Sequence, residues 1–109
     1  MSDRPKEFEI EYSVKGVSGR VTVIGRCGDT PIPVGTIFTI LYRNKDRQYP
    51  HGLEVPAERA QEIQVRLEVR GATAYGRELD PLPGGTTGCL IFDERETDLL
   101  PGGWILSTE

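Results

Sequence analysis

Ile63-Gln64-Val65-Arg66-Leu67-Glu68-Val69-Arg70 alternates apolar and polar side chains without a break. A period of two places Ile63, Val65, Leu67 and Val69 on one face of a pleated strand and the charged and amide side chains on the other. On a helix the same residues would be scattered around the whole circumference. The segment predicts a strand with one buried face, running on towards Tyr75, and a buried face requires a second layer or a curled sheet to cover it.

The same pattern recurs on either side. Phe8, Ile10, Tyr12 and Val14 alternate with Glu7, Glu9, Glu11 and Ser13, which predicts a first strand with all four apolar side chains inward and an acidic stripe outward. Arg20 to Arg26 carries Val21, Thr22, Val23 and Ile24, β-branched side chains suited to a pleated surface, and the preceding Gly16 and Gly19 favour a hairpin. Thr36 to Tyr42, Thr86 to Phe92 and Trp104 to Leu106 read as further strands. Cys27 to Gly35, with Pro31 and Pro33, and Leu79 to Gly85 read as loops, and Asp93 to Gly103 as a solvated acidic connection. Arg43 to Gly52 is polar and predicted to be exposed. Pro56 and Glu58 suit the first turn of a helix, which predicts one short helical turn within Val55 to Gln61. No segment repeats another at a fixed period. Residues 1–6 read as a tail and 7–107 as one all-β domain, a sandwich or a small barrel. Were the first strand to pair with Ile63–Arg70, its acidic stripe would face Arg66 and Arg70.

With 109 residues the chain is long enough for one hydrophobic core. A formal charge of −4 argues against non-specific nucleic-acid binding, which depends on surplus Lys and Arg. The segment Met1 to Glu7 is charged and no apolar run follows it, so a cytoplasmic protein with no membrane contact is expected. The two cysteines, Cys27 and Cys89, belong to no Cys-x-x-Cys pair and read as reduced, mostly buried thiols.

Four patterns bear on chemistry. Gly84-Gly85-Thr86-Thr87-Gly88 offers backbone N–H groups as an anion-binding nest would, but no helix or Lys follows, and a tight turn accounts for it. His51 stands alone, without a second His, Cys or spaced carboxylate, so no metal site is expected. Asp93, Glu94, Glu96 and Asp98 lack the spacing of a calcium loop. Arg43, Lys45, Arg47, Tyr49 and His51 alternate along a polar loop, a pattern that can track a phosphate backbone while a base stacks on the ring; an ordinary hairpin tip is the competing reading. A nucleophilic pair would require Cys27 or Cys89 to meet His51, and nothing in the sequence selects that geometry. Trp104, after Gly102-Gly103, reads as a plug in the core.

From Gly19 the chain reads Gly-Arg-Val-Thr-Val-Ile-Gly-Arg, followed by Pro33-Val34-Gly35 and then Ile37, Phe38, Thr39 and Ile40. This resembles the second domain of elongation factor Tu and related translation GTPases, in which a strand ending in Thr-Gly-Arg leads through a short loop to a Lys-Val-Gly-Asp turn. Arg77, Leu79 and Asp80 resemble that family's Arg-Lys-x-Leu-Asp segment, Gly85 to Gly88 its Gly-x-Asn-Val-Gly turn, and Leu100 to Leu106 its Arg-Gly-x-Val-Leu ending. The resemblance spans Glu7 to Ser107 and implies a small closed six-stranded Greek-key β-barrel, here as a stand-alone domain.

The departures matter as much. No Gly-x-x-x-x-Gly-Lys phosphate loop occurs, so no GTP binding by this chain is expected. The family's second domain helps hold the terminal adenosine of aminoacyl-tRNA, but Thr86 or Thr87 stands where its turn has Asn, and the stretch from Arg43 to Gln61 is longer than the family's connection. Three readings follow. A non-enzymatic protein-binding module, an adaptor or an inhibitor that recognises its partner through an exposed edge or the Arg43 to Gly52 loop, fits an acidic domain without a catalytic constellation. An RNA-binding module of the translation type would use Arg26, Arg77, Thr86 and Thr87 with Arg43, Lys45, Arg47 and Tyr49. An enzyme built on a cysteine and His51 comes third. No cofactor is expected.

Overall fold

The structure, a computed structural model, describes residues 4–44 and 59–108. All regular structure among them is β: β1 (Glu7–Lys15), β2 (Arg20–Cys27), β3 (Ile37–Asn44), β4 (Arg59–Glu68), β5 (Gly71–Ala74), β6 (Arg77–Glu78), β7 (Thr87–Asp93) and β8 (Ile105–Ser107). They form one antiparallel sheet in the order β4-β3-β8-β1-β2-β7-β5-β6. β4 lies at one end of that order and β5 near the other, yet only Val69 and Arg70 separate them. The sheet therefore has to curl. At this corner the Val69 N–H donates to the Thr36 carbonyl on the β3 side, whereas the Arg70 N–H donates to the Ile91 carbonyl of β7.

Curling encloses the core. Phe8, Ile10, Val21, Val23, Phe38, Leu67, Val69, Leu90, Phe92 and Leu106 all lie inside, with Trp104 packed partly buried against them. Ile32 and Leu82, from the two loops, join by reciprocal backbone hydrogen bonds of 3.0 and 2.9 Å and are fully buried over the core.

Three turns share one construction. Pro31-Ile32-Pro33-Val34-Gly35-Thr36, Pro81-Leu82-Pro83-Gly84-Gly85-Thr86 and Leu100-Pro101-Gly102-Gly103-Trp104 each carry a positive-φ glycine, Gly35, Gly85 and Gly103. That backbone state costs a side-chain-bearing residue energy and glycine almost none. The glycine N–H donates to the carbonyl of a buried residue, whose own N–H returns a bond to the carbonyl of the residue after the glycine. The pairs are Gly35 to Val69 with Val69 to Thr36, Gly85 to Cys27 with Cys27 to Thr86, and Gly103 to Ile10 with Ile10 to Trp104, all at 2.7–3.2 Å. A repeat thus exists where none was expected. It escapes a search for a fixed period because the three copies are unevenly spaced and only a few of their residues match.

Several expectations require correction. The strands number eight rather than six, and among the described residues the edge strands β4 and β6 each pair with one neighbour, so the ladder does not close. The run expected to continue towards Tyr75 breaks at the corner, and a hairpin through Tyr75-Gly76 creates β5 and β6. Tyr12 and Val14 point outward rather than inward: the register of β1 on β2 shifts between Ile10 and Tyr12, and one extra residue in a strand reverses every side chain beyond it. β1 pairs with β2 and β8, never with β4, so the acidic stripe does not face Arg66 and Arg70. Residues 59–61 of the expected helical turn are strand, and the remainder lies outside the described residues.

The acidic connection is pinned rather than free. Asp93 holds Arg95 at 2.6 Å, Asp98 holds Lys15 at 2.9 Å, and Glu96 meets both Arg66 and Arg70.

Candidate functional site

The bulge in β1 shapes the outer surface. Beyond it, Tyr12 stands opposite Ile24, Ile24 opposite Cys89, and Cys89 opposite Thr73, a row across β1, β2, β7 and β5. The next row runs Val14, Thr22, Ile91 and Gly71 across the same four strands. Partners in an antiparallel ladder share a face. Since Val21, Val23, Leu90 and Ala72 point inward, both rows lie on the outer face. None of the eight residues is charged, in a chain of which 28% is charged. The solvent face of an antiparallel sheet is ordinarily polar, so this one departs from expectation. Tyr12 is 54% and Val14 45% exposed.

Charges frame the two rows. On one side lie Glu9 and Arg26, neighbours across β1 and β2, with the neutral Thr87 next to them on β7; on the other lie Arg20 and Asp93. Beside Thr73, on β6, stands Glu78.

Several cavities flank the face: one of 230 Å³ lies beside Ser18, Arg20, Arg70 and Asp93, and two others lie at the β5 end and beside Glu9 and Arg26. The larger of these two, 410 Å³, is lined by Gly71, Thr73, Ile91, Leu79 and Val34, with Arg70, Glu78 and Asp80. A side chain at position 71 would press on Ile91 at 3.3 Å, so glycine there leaves room for Ile91 to lean over β5. Asp80 accepts a hydrogen bond from the Val34 N–H at 3.0 Å and so fixes one rim. The smaller, 250 Å³, is lined by Glu7, Glu9, Asp29 and Arg26 with Gly28, Gly85 and Ile105.

The residues singled out from the sequence are distributed as follows. Arg26, Thr86 and Thr87 come together at the end of β2 and β7, and the Thr86 carbonyl accepts from the Cys27 N–H. Arg77 lies on β6 opposite Ala74, three strands away from Arg26, and Arg43 lies on β3, three strands away in the other direction. These arginines therefore make no common patch. Arg43 instead lies over the Trp104 ring at 5.8 Å, a cation–π contact. Lys45, Arg47, Tyr49 and His51 lie outside the described residues.

Both cysteines are free, and they point to opposite sides of the sheet. Cys27 is buried, its Sγ directed at the Thr30 carbonyl at 3.4 Å, and burial pushes its pKa up, which disfavours the reactive thiolate. Cys89 lies within the outer uncharged face, so the expectation of a buried thiol holds for Cys27 and only partly for Cys89. Among the described residues, no group of three or more His, Cys, Asp or Glu side chains converges as a metal site would. No described helix is long and apolar enough to cross a membrane.

The uncharged face itself was not foreseen. Tyr12, Ile24 and Ile91 each look like ordinary strand residues; only the register, with its bulge, assembles them.

No family model and no curated protein matches the chain. Among solved structures it is similar to translation elongation factor SelB from Methanococcus maripaludis in its apo form, with 12% identity and a TM-score of 0.64 over 99% of this chain and 20% of that one. The chain thus spans about a fifth of that protein's length, and at this identity the likeness is one of fold: an all-β, barrel-like architecture shared with one part of that protein.

Proposed function

We propose that the domain is a non-enzymatic protein-binding module, an adaptor or inhibitor, that docks its partner on the outer face of β1, β2, β7 and β5. The observation that carries this reading is the pair of uncharged ladder rows from Tyr12 to Thr73 and from Val14 to Gly71. A contiguous uncharged surface with exposed Tyr12 and Val14, framed by charges, has the anatomy of an interface core with a polar rim. A few aromatic and aliphatic anchors contribute most of the affinity in such interfaces, and Tyr12, at the β1 end of its row, and Ile91, on β7, are the candidates here.

The test is affinity capture from native cell extract at low and high salt, using the wild-type domain, the double variant Tyr12→Lys/Val14→Lys, and Val17→Lys as a control in the hairpin tip. The expected result is a stoichiometric protein that survives high salt and is lost with the double variant alone. A partner indifferent to the double variant would refute the assignment of the face.

An RNA-binding reading has one observation in its favour, the grouping of Arg26 with Thr86 and Thr87. Glu7, Glu9 and Asp29 share the cavity with that arginine and would repel phosphate. RNA recovered only at low salt, its affinity falling steeply as salt rises, would bring this second reading forward.

A further inference from the structure

The uncharged face ends at β5 on the 410 Å³ cavity, and the charges in that cavity do not cancel. Arg70 is already engaged: its guanidinium lies 3.2 Å from Glu96 and 3.5 Å from Glu68. Glu78 makes no ion pair among the described residues, and Asp80 holds only the neutral Val34 N–H. Two carboxylates thus face a cavity whose other walls are Leu79, Ile91 and Val34, the strand β5 with Thr73, and Arg70, whose charge is held by Glu96 and Glu68.

Apolar walls leading to carboxylates match a side chain with a long aliphatic stem and a cationic head. Lys and Arg lay their methylenes along apolar surface while the charge seeks an anion, and a planar guanidinium suits carboxylates best. The second cavity also carries an acidic excess: Glu7, Glu9 and Asp29 stand with Arg26, and Arg4 approaches Asp29 at 3.9 Å.

Building on the docking face proposed above, we infer that the partner is a protein with a basic contact surface and that one of its arginine or lysine side chains enters the cavity between Glu78 and Asp80 as an anchor. Ile91 and Leu79 hold its stem, and the adjoining rows from Tyr12 and Val14 cover the partner's apolar residues. A nucleic acid is disfavoured there, because its phosphates would meet the same carboxylates.

The probes are three capped tripeptides, acetyl-Leu-Arg-Leu-amide and the versions with glutamate or norleucine in place of arginine, titrated to millimolar concentration into the 15N-labelled full chain. The arginine peptide is expected to shift the amides of Gly71, Thr73, Glu78, Leu79 and Ile91. The norleucine peptide should bind about tenfold more weakly, the equivalent of one charge-assisted hydrogen bond, and the glutamate peptide should leave these amides unmoved. Glu78→Gln should weaken the arginine peptide to a similar degree, while Glu94→Gln, away from the cavity, should not.

Equal binding of the glutamate peptide, indifference to Glu78→Gln, or no shift with the arginine peptide overturns the anchor. So does an adenosine oligonucleotide that moves the same amides where the arginine peptide does not. If the anchor fails while the captured protein is still lost with Tyr12→Lys/Val14→Lys, the docking face stands without it; if that capture fails as well, both fall.

Discussion

Phe38 of β3 meets Phe92 of β7 edge to face across the interior, their ring centroids 6.3 Å apart and their planes at 63°. Three strands, β8, β1 and β2, lie between β3 and β7 in the sheet order, so the contact exists only because the sheet curls at Val69-Arg70. Both rings are fully buried. Phe92→Ala should cost about 3–5 kcal/mol, the range for emptying a buried aromatic site. Urea unfolding of wild type and variant checks this, and a change below about 1 kcal/mol would mean that the site collapses or that the curl is not held there.

The three-turn construction separates two glycine effects. A Cβ at Gly102 would collide with the Glu11 carbonyl, whereas one at Gly35 meets nothing but inherits a φ of +93°. Gly35→Ala should therefore cost about 1–2 kcal/mol, the penalty of a left-handed backbone. Gly102→Ala, which forces two backbone segments apart, should cost more than Gly35→Ala. Thermal unfolding of the two variants ranks them, and the reverse order would refute the clamp.

Acid should weaken the fold through Asp93. The side-chain hydrogen bond from Arg95, aided by its backbone N–H, lowers this carboxyl from 3.8 to about 2. A carboxyl whose folded pKa is depressed stabilises the fold above its unfolded value, and this contribution drains away as the pH falls through the folded value. The loss accordingly falls between about pH 4 and pH 2. Asp98, lowered by its hydrogen bond to Lys15, acts in the same direction. Asp93→Asn should melt below wild type at pH 5, and the gap should narrow by pH 2. A gap that stays constant across this range would show that the Arg95 contact adds no pH-dependent stability.

Thiol chemistry should read out the two sides of the sheet. Cys89 on the outer face should react with an aromatic disulfide reagent in the native state, while Cys27, buried and with its pKa raised, should react only after unfolding. One thiol released per native chain and two after denaturant is the expected count, and Cys89→Ser should abolish the first.

Side-chain alternation made most strands legible in the sequence, because burial of one face writes a period of two directly into the residue order. It failed at Tyr12 and Val14. A bulge inserts a residue without changing the alternation, so the pattern looks unbroken while the face reverses. The corner at Val69-Arg70 was hidden for a related reason: Val69 is buried and Arg70 exposed, so they continue the pattern of β4 although their hydrogen bonds go to different strands. Of the side chains singled out from the sequence, Arg26, Thr86 and Thr87 lie together, whereas Arg43 and Arg77 lie three strands away on either side. The uncharged face was not legible at all, since its rows join residues as distant as Tyr12 and Thr73 and come into being only with the register. Of the cavity carboxylates, Asp80 stands out only through the resemblance and Glu78 carries no local signal; loop and hairpin bring them beside Ile91.

At the seam where β1 meets β8, the Lys6 N–H donates to Thr108 Oγ1 at 2.9 Å and the Thr108 N–H donates to the Lys6 carbonyl at 3.1 Å. Entry and exit of the chain are thus stapled together at one point on the surface. A peptide segment grafted onto both ends would leave as a two-stranded stalk, so the domain can be spliced into the loop of a host protein without either being pulled apart, and a short linker across the seam would allow new ends to be opened elsewhere in the sheet.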